Sequence, residues 1–364
     1  MLTPRQAEIL GIIRSEPLVA QQELAGRLGI SRSAVAGHIM QLTEMGLIRG
    51  RGYLLSEADY VCVVGGANVD IEGRVPGPLT FADSNIGTVK RSPGGVGRNI
   101  AENLARLGVS TRLITGLGRD DLGAWLHDQT AGAGVDLAHT IWSESAPTAT
   151  YLSVIDGSGE MAVAINDMAV MTAVTTAALD ARRDALAHAA AVVVDCNLTS
   201  ESLGHVVSDL AVGPVFVDPV SSAKAERIAP LLASVHTLKP NRAEAALLSG
   251  VDISGKRSLR TAASALLDLG VHRVVISLGA DGLFFADGET SGTLPQPTYP
   301  VVSVTGAGDA LMAGLVHAHL AKLPLEEAAR FGLTAAAVTA RSDRPVAPDL
   351  STETIYELIE KEAS

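Results

Sequence analysis

The chain has 364 residues, 47% of them hydrophobic and 19% charged, with a formal net charge of −12. That is apolar material for one large core plus a small extra domain, and it excludes a disordered chain. Aromatics at 3% exclude a broad stacking platform for single-stranded nucleic acid.

The charge is uneven. Residues 1–55 hold six Arg against four Glu, so the acid lies in the remainder. A mildly basic head can approach DNA, whereas an acidic body repels phosphate except at a local positive site. The 36 glycines suit tight turns and close backbone approach to a ligand.

The first elements are helical. Residues 3–16 form a helix with Ile9, Leu10, Ile12 and Ile13 on its apolar face, started by Thr3-Pro4 and stopped by Pro17. A short helix covers Gln21 to Leu28, Gly29 turns the chain, and Ser31 caps a third helix reaching about Met45. Residues 47–55 then read as two short strands around Gly-Arg-Gly. Three helices followed by a hairpin is the order of a winged helix-turn-helix, and "QQELAGRLGISRSAVAGHIMQLTEMGLI" resembles the bacterial winged-helix regulators. Arg32, Ser33 and Gln41 are the residues placed to read base edges, and Arg49 and Arg51 those placed to meet phosphate. So few contacts favour a homodimer on a palindromic operator; the alternative is an interaction module without DNA binding.

A polar linker at 56–60 separates the head, 1–57, from a body, 58–364. There the pattern changes to short apolar runs, Val61 to Val64, Ala191 to Val194, Val215 to Val217 and Val274 to Leu278, with helical stretches between them. Strands alternating with helices imply a mostly parallel sheet covered on both faces. Two stretches break the rhythm: a Gly- and Pro-rich segment at 71–91, and residues 150–166, alternating around Asp156-Gly157-Ser158-Gly159. These are assigned to a small antiparallel lid. Cys62 and Cys196 lie in apolar runs with no metal or disulfide spacing, no signal peptide opens the chain, and no apolar run spans a bilayer, so a reducing cytoplasm is expected.

The chemistry concentrates in Gly306-Ala307-Gly308-Asp309, which opens a long apolar helix. A loop of small residues at a helix start leaves backbone N–H groups aimed at one spot, and the dipole adds positive potential there. An acid at that anion hole suits removal of a proton from a hydroxyl attacking a phosphoryl group. A capped helix start is the plainer reading of those four residues taken alone.

The match extends further. Gly306 to Asp309 with Ala313-Gly314 resembles the C-terminal signature of the PfkB carbohydrate kinases. Gly94-Gly95-Val96-Gly97-Arg98-Asn99 with Gly108 and Gly118 is similar to their N-terminal one. The resemblance covers residues 58–364. It implies a ribokinase-like three-layer α/β sandwich with a small β lid, preceded here by the winged helix-turn-helix. It also implies ATP and Mg2+ as cofactors, Asp309 as base, and the backbone of Gly306, Ala307 and Gly308 as the anion hole.

By the same resemblance Asn68, Asp70, Gly95 and Asn99 hold the sugar. Asn241, Ser277, Gly279 and Gly282 lie on the nucleotide side, and Glu244 helps organise magnesium. Asn241 and Glu244 also spell an ordinary capping box, and Asp281-Gly282 an ordinary turn. Many members have Asp where this chain has Ser303, at a position linked to structure or a monovalent cation, so the departure bears on potassium rather than on the base. Lys224 is read as a solvated surface lysine.

Three stretches, "GGANVDI", "ADSNIGTVKRSPGGVGRNIAENLARLG" and "AINDMAVM", look like bacterial pseudouridine kinases. That likeness implies transfer to the ribose 5′-hydroxyl, with Asp83 in the lid and Asn166 near the ligand. An Asx turn and a strand end are the plainer readings of those two. Ribokinase- or fructokinase-like activity on the same fold and a ligand-sensing regulator are the alternatives.

Overall fold

A computed structural model describes residues 2–48 and 60–363 of the chain. They fall into two compact units, within residues 1–59 and 60–364.

In the head, Pro4–Ser15 is helical behind a reciprocal cap. Thr3 Oγ1 accepts from the Gln6 N–H (3.2 Å) and Gln6 Oε1 from the Thr3 N–H (2.8 Å). The helix Gln21–Leu28 ends at Gly29, whose φ of 63° is the left-handed turn glycine takes without strain. Ser31 Oγ accepts from the Ala34 N–H and starts the helix Arg32–Glu44. Ile9, Ile13, Leu24, Val35 and Leu42 close the core of this unit. Arg49, Arg51 and most of the expected wing lie outside the described residues.

In the body, eight strands form one sheet. Their spatial order is Ser291–Leu294, Leu283–Ala286, Arg273–Ser277, Thr237–Leu238, Val215–Asp218, Ala191–Asp195, Val61–Val64 and Thr111–Ile114. The last six run parallel; at one edge Leu283–Ala286 turns back antiparallel to them and Ser291–Leu294 pairs antiparallel with it. Along Val61–Val64 the side chains alternate between two cores, Cys62 and Val64 in one, Val61 and Val63 in the other. Both faces of the sheet are therefore covered, which is why the strands read as unbroken apolar runs.

A second sheet has four strands in the order Thr88–Gly94, Asn68–Arg74, Thr150–Ile155 and Met161–Asp167. Asn68–Arg74 lies parallel to Thr150–Ile155 and the outer pairs are antiparallel. The Asp156 carboxylate ties the hairpin turn by accepting from the Ser158 and Glu160 N–H groups (2.9 and 3.2 Å). Among the described residues no helix is long and apolar enough to cross a membrane.

Candidate active site

Parallel strands deliver their chain ends to one pole of the sheet, where open α/β folds bind ligands. Asp195 and Asp218 end two neighbouring strands and Lys239 follows a third. All three are buried. Lys239 Nζ pairs with Asp218 Oδ2 at 3.0 Å. Asp195 Oδ2 accepts from the backbone N–H of Gly66 (2.8 Å) and Gly97 (2.7 Å), and its Oδ1 from that of Asn197 (2.8 Å). One carboxylate thus ties the first strand's end to the N-terminal glycine signature.

The helix Ala307–Leu320 begins at the same pole, capped by Gly306. Gly306 has φ 81°, and a Cβ there would collide with the Pro345 carbonyl, so only glycine fits. Ala307 N–H turns back to Val304 O (3.3 Å). The described residues give no hydrogen-bond partner to the N–H of Gly306 or Gly308, so these two remain available to an anion. Lys239 Nζ lies 3.3 Å from where a Gly308 Cβ would stand, which puts a cation beside the loop.

Asp309 is 8% exposed, and its Oδ2 accepts from Asn99 Nδ2 at 2.8 Å, joining the two glycine signatures across 210 residues. Burial, reinforced by the Asp218 carboxylate, pushes the Asp309 carboxyl up to about 8, against the pull of Asn99 and Lys239. A carboxyl held near neutral pH in a cleft suits proton transfer.

Asn68 Nδ2 donates to Asp70 Oδ1 at 2.6 Å, and burial raises Asp70 to about 6 against the Asn68 hydrogen bond and the Arg98 charge. Gly95, at φ 99°, packs its Cα against Gly66 to Asn68, where a Cβ would strike backbone. Of the expected sugar-side residues, Asn68 and Asp70 thus lie on the strand Asn68–Arg74, and Gly95 and Asn99 on the start of the helix Val96–Arg106, with Gly95 against Asn68. Asn241 and Glu244 bond each other as a capping box, at 2.8 and 2.9 Å. Burial raises the Glu244 carboxyl. Ser277 bridges to Asn241 through its N–H on Pro240 O (2.9 Å), and Gly279 and Gly282 make the left-handed turn after it.

Two expected residues stand apart. Asn166 is exposed on the lid strand Met161–Asp167, and Asp83 is exposed with its Oδ1 on the Ser84 N–H (2.7 Å). Among the described residues no hydrogen bond or ion pair ties either to the Asp309 cluster. In the head, Arg32 and Ser33 are exposed, while Gln41 Oε1 accepts from Gln6 Nε2 at 2.9 Å and so is partly used internally. Lys224 is not the solvated lysine the sequence suggests. It is half-buried, Nζ donates to Asn197 Oδ1 at 2.6 Å, and it lines a cavity of about 290 Å3 with Met168, Met171, Thr172 and Arg227. Burial lowers its pKa.

Sequence reasoning passed over Asp195, Asp218, Lys239 and Arg98. The first three carry one signal that could have found them: a lone charge where an apolar strand ends.

Residues 58–352 match the model of the pfkB family carbohydrate kinases, and residues 2–49 that of a winged helix-turn-helix DNA-binding domain. The chain belongs to the pfkB family of carbohydrate kinases. Family members are phosphotransferases with an alcohol acceptor. The chain is 40% identical over 308 residues to the pseudouridine kinase of Escherichia coli (strain K12), covering 84% of this chain and 98% of that one. It is 39% identical over 357 residues to the uncharacterized sugar kinase YeiI of the same organism, covering 98% of both chains and hence part of the head. Among solved structures, a putative sugar kinase from Clostridium perfringens superposes with a TM-score of 0.75 at 35% identity, over 84% of this chain and 96% of that one. Ribokinase of Arabidopsis thaliana, complexed with ribose and ATP, gives 0.73 at 24% identity, over 84% and 99%.

Proposed function

We propose that this kinase transfers the γ-phosphoryl group of ATP to the 5′-hydroxyl of pseudouridine, with Asp309 as the base. The observation that carries the mechanism is the buried Asp309, held by Asn99 at the start of a helix whose Gly306–Gly308 loop sits beside Lys239. Likeness to the E. coli pseudouridine kinase supports the substrate.

Asp309 takes the hydroxyl proton as the oxygen attacks. The free N–H groups of Gly306 and Gly308 and the Lys239 ammonium stabilise charge on the transferring group. Asn68, Asp70, Gly95 and Asn99 hold the ribose hydroxyls, since a carboxylate accepts two neighbouring O–H groups well. Asn241, Ser277, Gly279 and Gly282 border the nucleotide. Among the described residues no group of three carboxylate, His or Cys side chains makes a metal cage. That donor set fits magnesium, which keeps its waters and binds through phosphates and one or two carboxylates. Glu244, with Asp218 near it, would hold the ion. When bound, magnesium neutralises nucleotide phosphate charge. Potassium is the open cofactor: Ser303 Oγ accepts from the Thr305 N–H (3.2 Å), and exchanging Na+ for K+ in the assay decides whether a monovalent cation acts.

The remaining partners belong to the same proposal. Arg32, Ser33 and Gln41, with Arg49 and Arg51, contact operator DNA, and a second copy covers the exposed apolar lid residues Val89, Met161, Val163 and Ile165 to form a homodimer. Asp83 and Asn166 reach the base only if the lid closes on it. The buried free cysteines accord with a cytoplasmic setting.

The deciding experiment is ADP release with ATP and magnesium against pseudouridine, uridine, ribose and fructose. Turnover with pseudouridine alone is expected. Turnover with ribose or fructose keeps the mechanism and overturns the substrate. Silence across a wide panel in a protein that binds ATP overturns the kinase reading in favour of a ligand-sensing regulator.

A further inference from the structure

Among the described residues Asp309 is reached from outside its own helix by one hydrogen-bond donor, Asn99, and behind Asn99 stands a charge that neither glycine signature requires. Arg98 is 1% exposed, among the largest fully buried side chains of the body. Its Nη1 donates to Asn99 Oδ1 at 2.7 Å and to Pro93 O at 3.0 Å, and its other arm pairs with Glu102, which in turn holds Arg106 at 2.7 Å. A guanidinium has five donors and no acceptor. Only the oxygen of the Asn99 amide can face it, so the amide nitrogen must point the other way. There it meets Asp309 Oδ2 at 2.8 Å.

We propose that Arg98 is a positioning residue for phosphoryl transfer: by fixing Asn99 Oδ1 it turns Asn99 Nδ2 onto one oxygen of Asp309 and leaves the other for the attacking hydroxyl. The role rests on Asp309 being the base. A buried arginine kept only to brace its helix would spend its donors on the brace. Here Nε has no partner among the described residues, while the shortest neutral contact goes to the amide that touches the base. The site also gains a charge: burial lowers the Arg98 pKa, and the Asp70 and Asp309 carboxylates pull it back up.

The groups that bear on this relay are few. Asp309 faces Asn99, Lys239, Asp218 and Asp195. Arg98 faces Asp70, Asp309, Glu102 and Arg106. Loss of Arg98 removes a cation that Asp70 and Asp309 both feel and frees the Asn99 amide to flip. Both changes favour the protonated form of Asp309, so the acidic limb of kcat/KM moves to higher pH.

The test compares Arg98→Met, Arg98→Lys and Glu102→Gln with the wild type, by pH profile of kcat/KM and by Tm. Arg98→Met is expected to lower kcat about 10²-fold and to shift the limb about one pH unit upward, with KM for ATP unchanged. Arg98→Lys, which keeps a cation and a donor for Asn99 Oδ1, is expected to restore the limb. Glu102→Gln, which loosens the brace alone, is expected to lower Tm and leave the limb in place. Should Arg98→Met fail to fold, Arg98→Gln takes its place. A profile superimposing on the wild type in the Arg98 variants, or a limb displaced equally by Glu102→Gln, would falsify the relay. Absence of wild-type turnover would instead strike the proposed function, so the two failures are separable.

Discussion

The two poles of the main sheet handle buried ionisable groups in opposite ways. At the C-terminal pole Asp195, Asp218, Lys239 and Asp309 are crowded together, and burial drives Asp195 to about 6 and Asp309 to about 8. At the N-terminal pole His236 and His272 stand just before adjacent strands, stacked at 6.0 Å. His319 meets His236 edge-on at 4.7 Å and Phe216 at 5.3 Å. The helix Ala307–Leu320 links the poles, with Asp309 in its first turn and His319 in its last, about 15 Å apart at 1.5 Å per residue. At one pole burial raises the Asp195 and Asp309 carboxyls towards neutral pH; at the other it lowers His236 and His319, whose rings pack against each other. Burial alone therefore does not mark a site; hydrogen bonds that aim at open space do.

The sharpest way to break that contrast is Asp309→Asn. It should fold and lose about 10³-fold or more in kcat. Stability gives a second readout. The folded carboxyl titrates near 8 and the unfolded one near 3.8, so the unfolded state alone ionises between them and stability falls as pH rises through that window. Asparagine has no such proton. Relative to wild type, Tm of the variant should rise between pH 4 and pH 8, by about 2–4 °C. An unchanged kcat would remove Asp309 from the chemistry.

Gly306→Ala comes next. Its φ of 81° and the Pro345 carbonyl leave no room for a methyl group, so the loop must shift. A displaced anion hole should cost about 10²-fold in kcat while KM for the sugar barely moves, measurable by steady-state kinetics. A smaller effect sharpens the same point without mutation: kcat/KM of the wild type should rise with pH towards about 8, as Asp309 loses its proton.

Much of this was legible in residues alone. Apolar runs such as Val61–Val64 and Ala191–Val194 are what a doubly covered sheet needs, and the two glycine signatures contain Asn99 and Asp309, though not the 2.8 Å hydrogen bond that joins them. What escaped was partnership over long separation. Nothing local marks Asp195 as acceptor for Gly66 and Gly97, some hundred residues upstream, or Lys224 as partner of Asn197. Arg98 reads as one more charge on a helix until the fold buries it. Local chemistry accounts for other residues whatever else they do: Asp83 serves its own turn, and Asn241 with Glu244 forms the capping box that their spacing also allowed.

The mildest test falls on the opposite pole. Burial, with His319, Arg273 and His272 alongside, holds His236 down at about 4, against about 6.5 in the unfolded chain. Between those values the unfolded state binds a proton that the folded state refuses. Stability is therefore full above 6.5 and is lost as pH falls towards 4. His236→Phe keeps a ring against Phe216 and removes that proton, at the cost of the His236 Nδ1 contact with Thr237 Oγ1 (2.8 Å). The drop in Tm from pH 7 to pH 5 should shrink by about 2–4 °C, while the pH profile of kcat/KM stays where it was. If that profile moved, the two poles would be coupled through the helix that joins them, and the separation of packing from chemistry drawn here would fail.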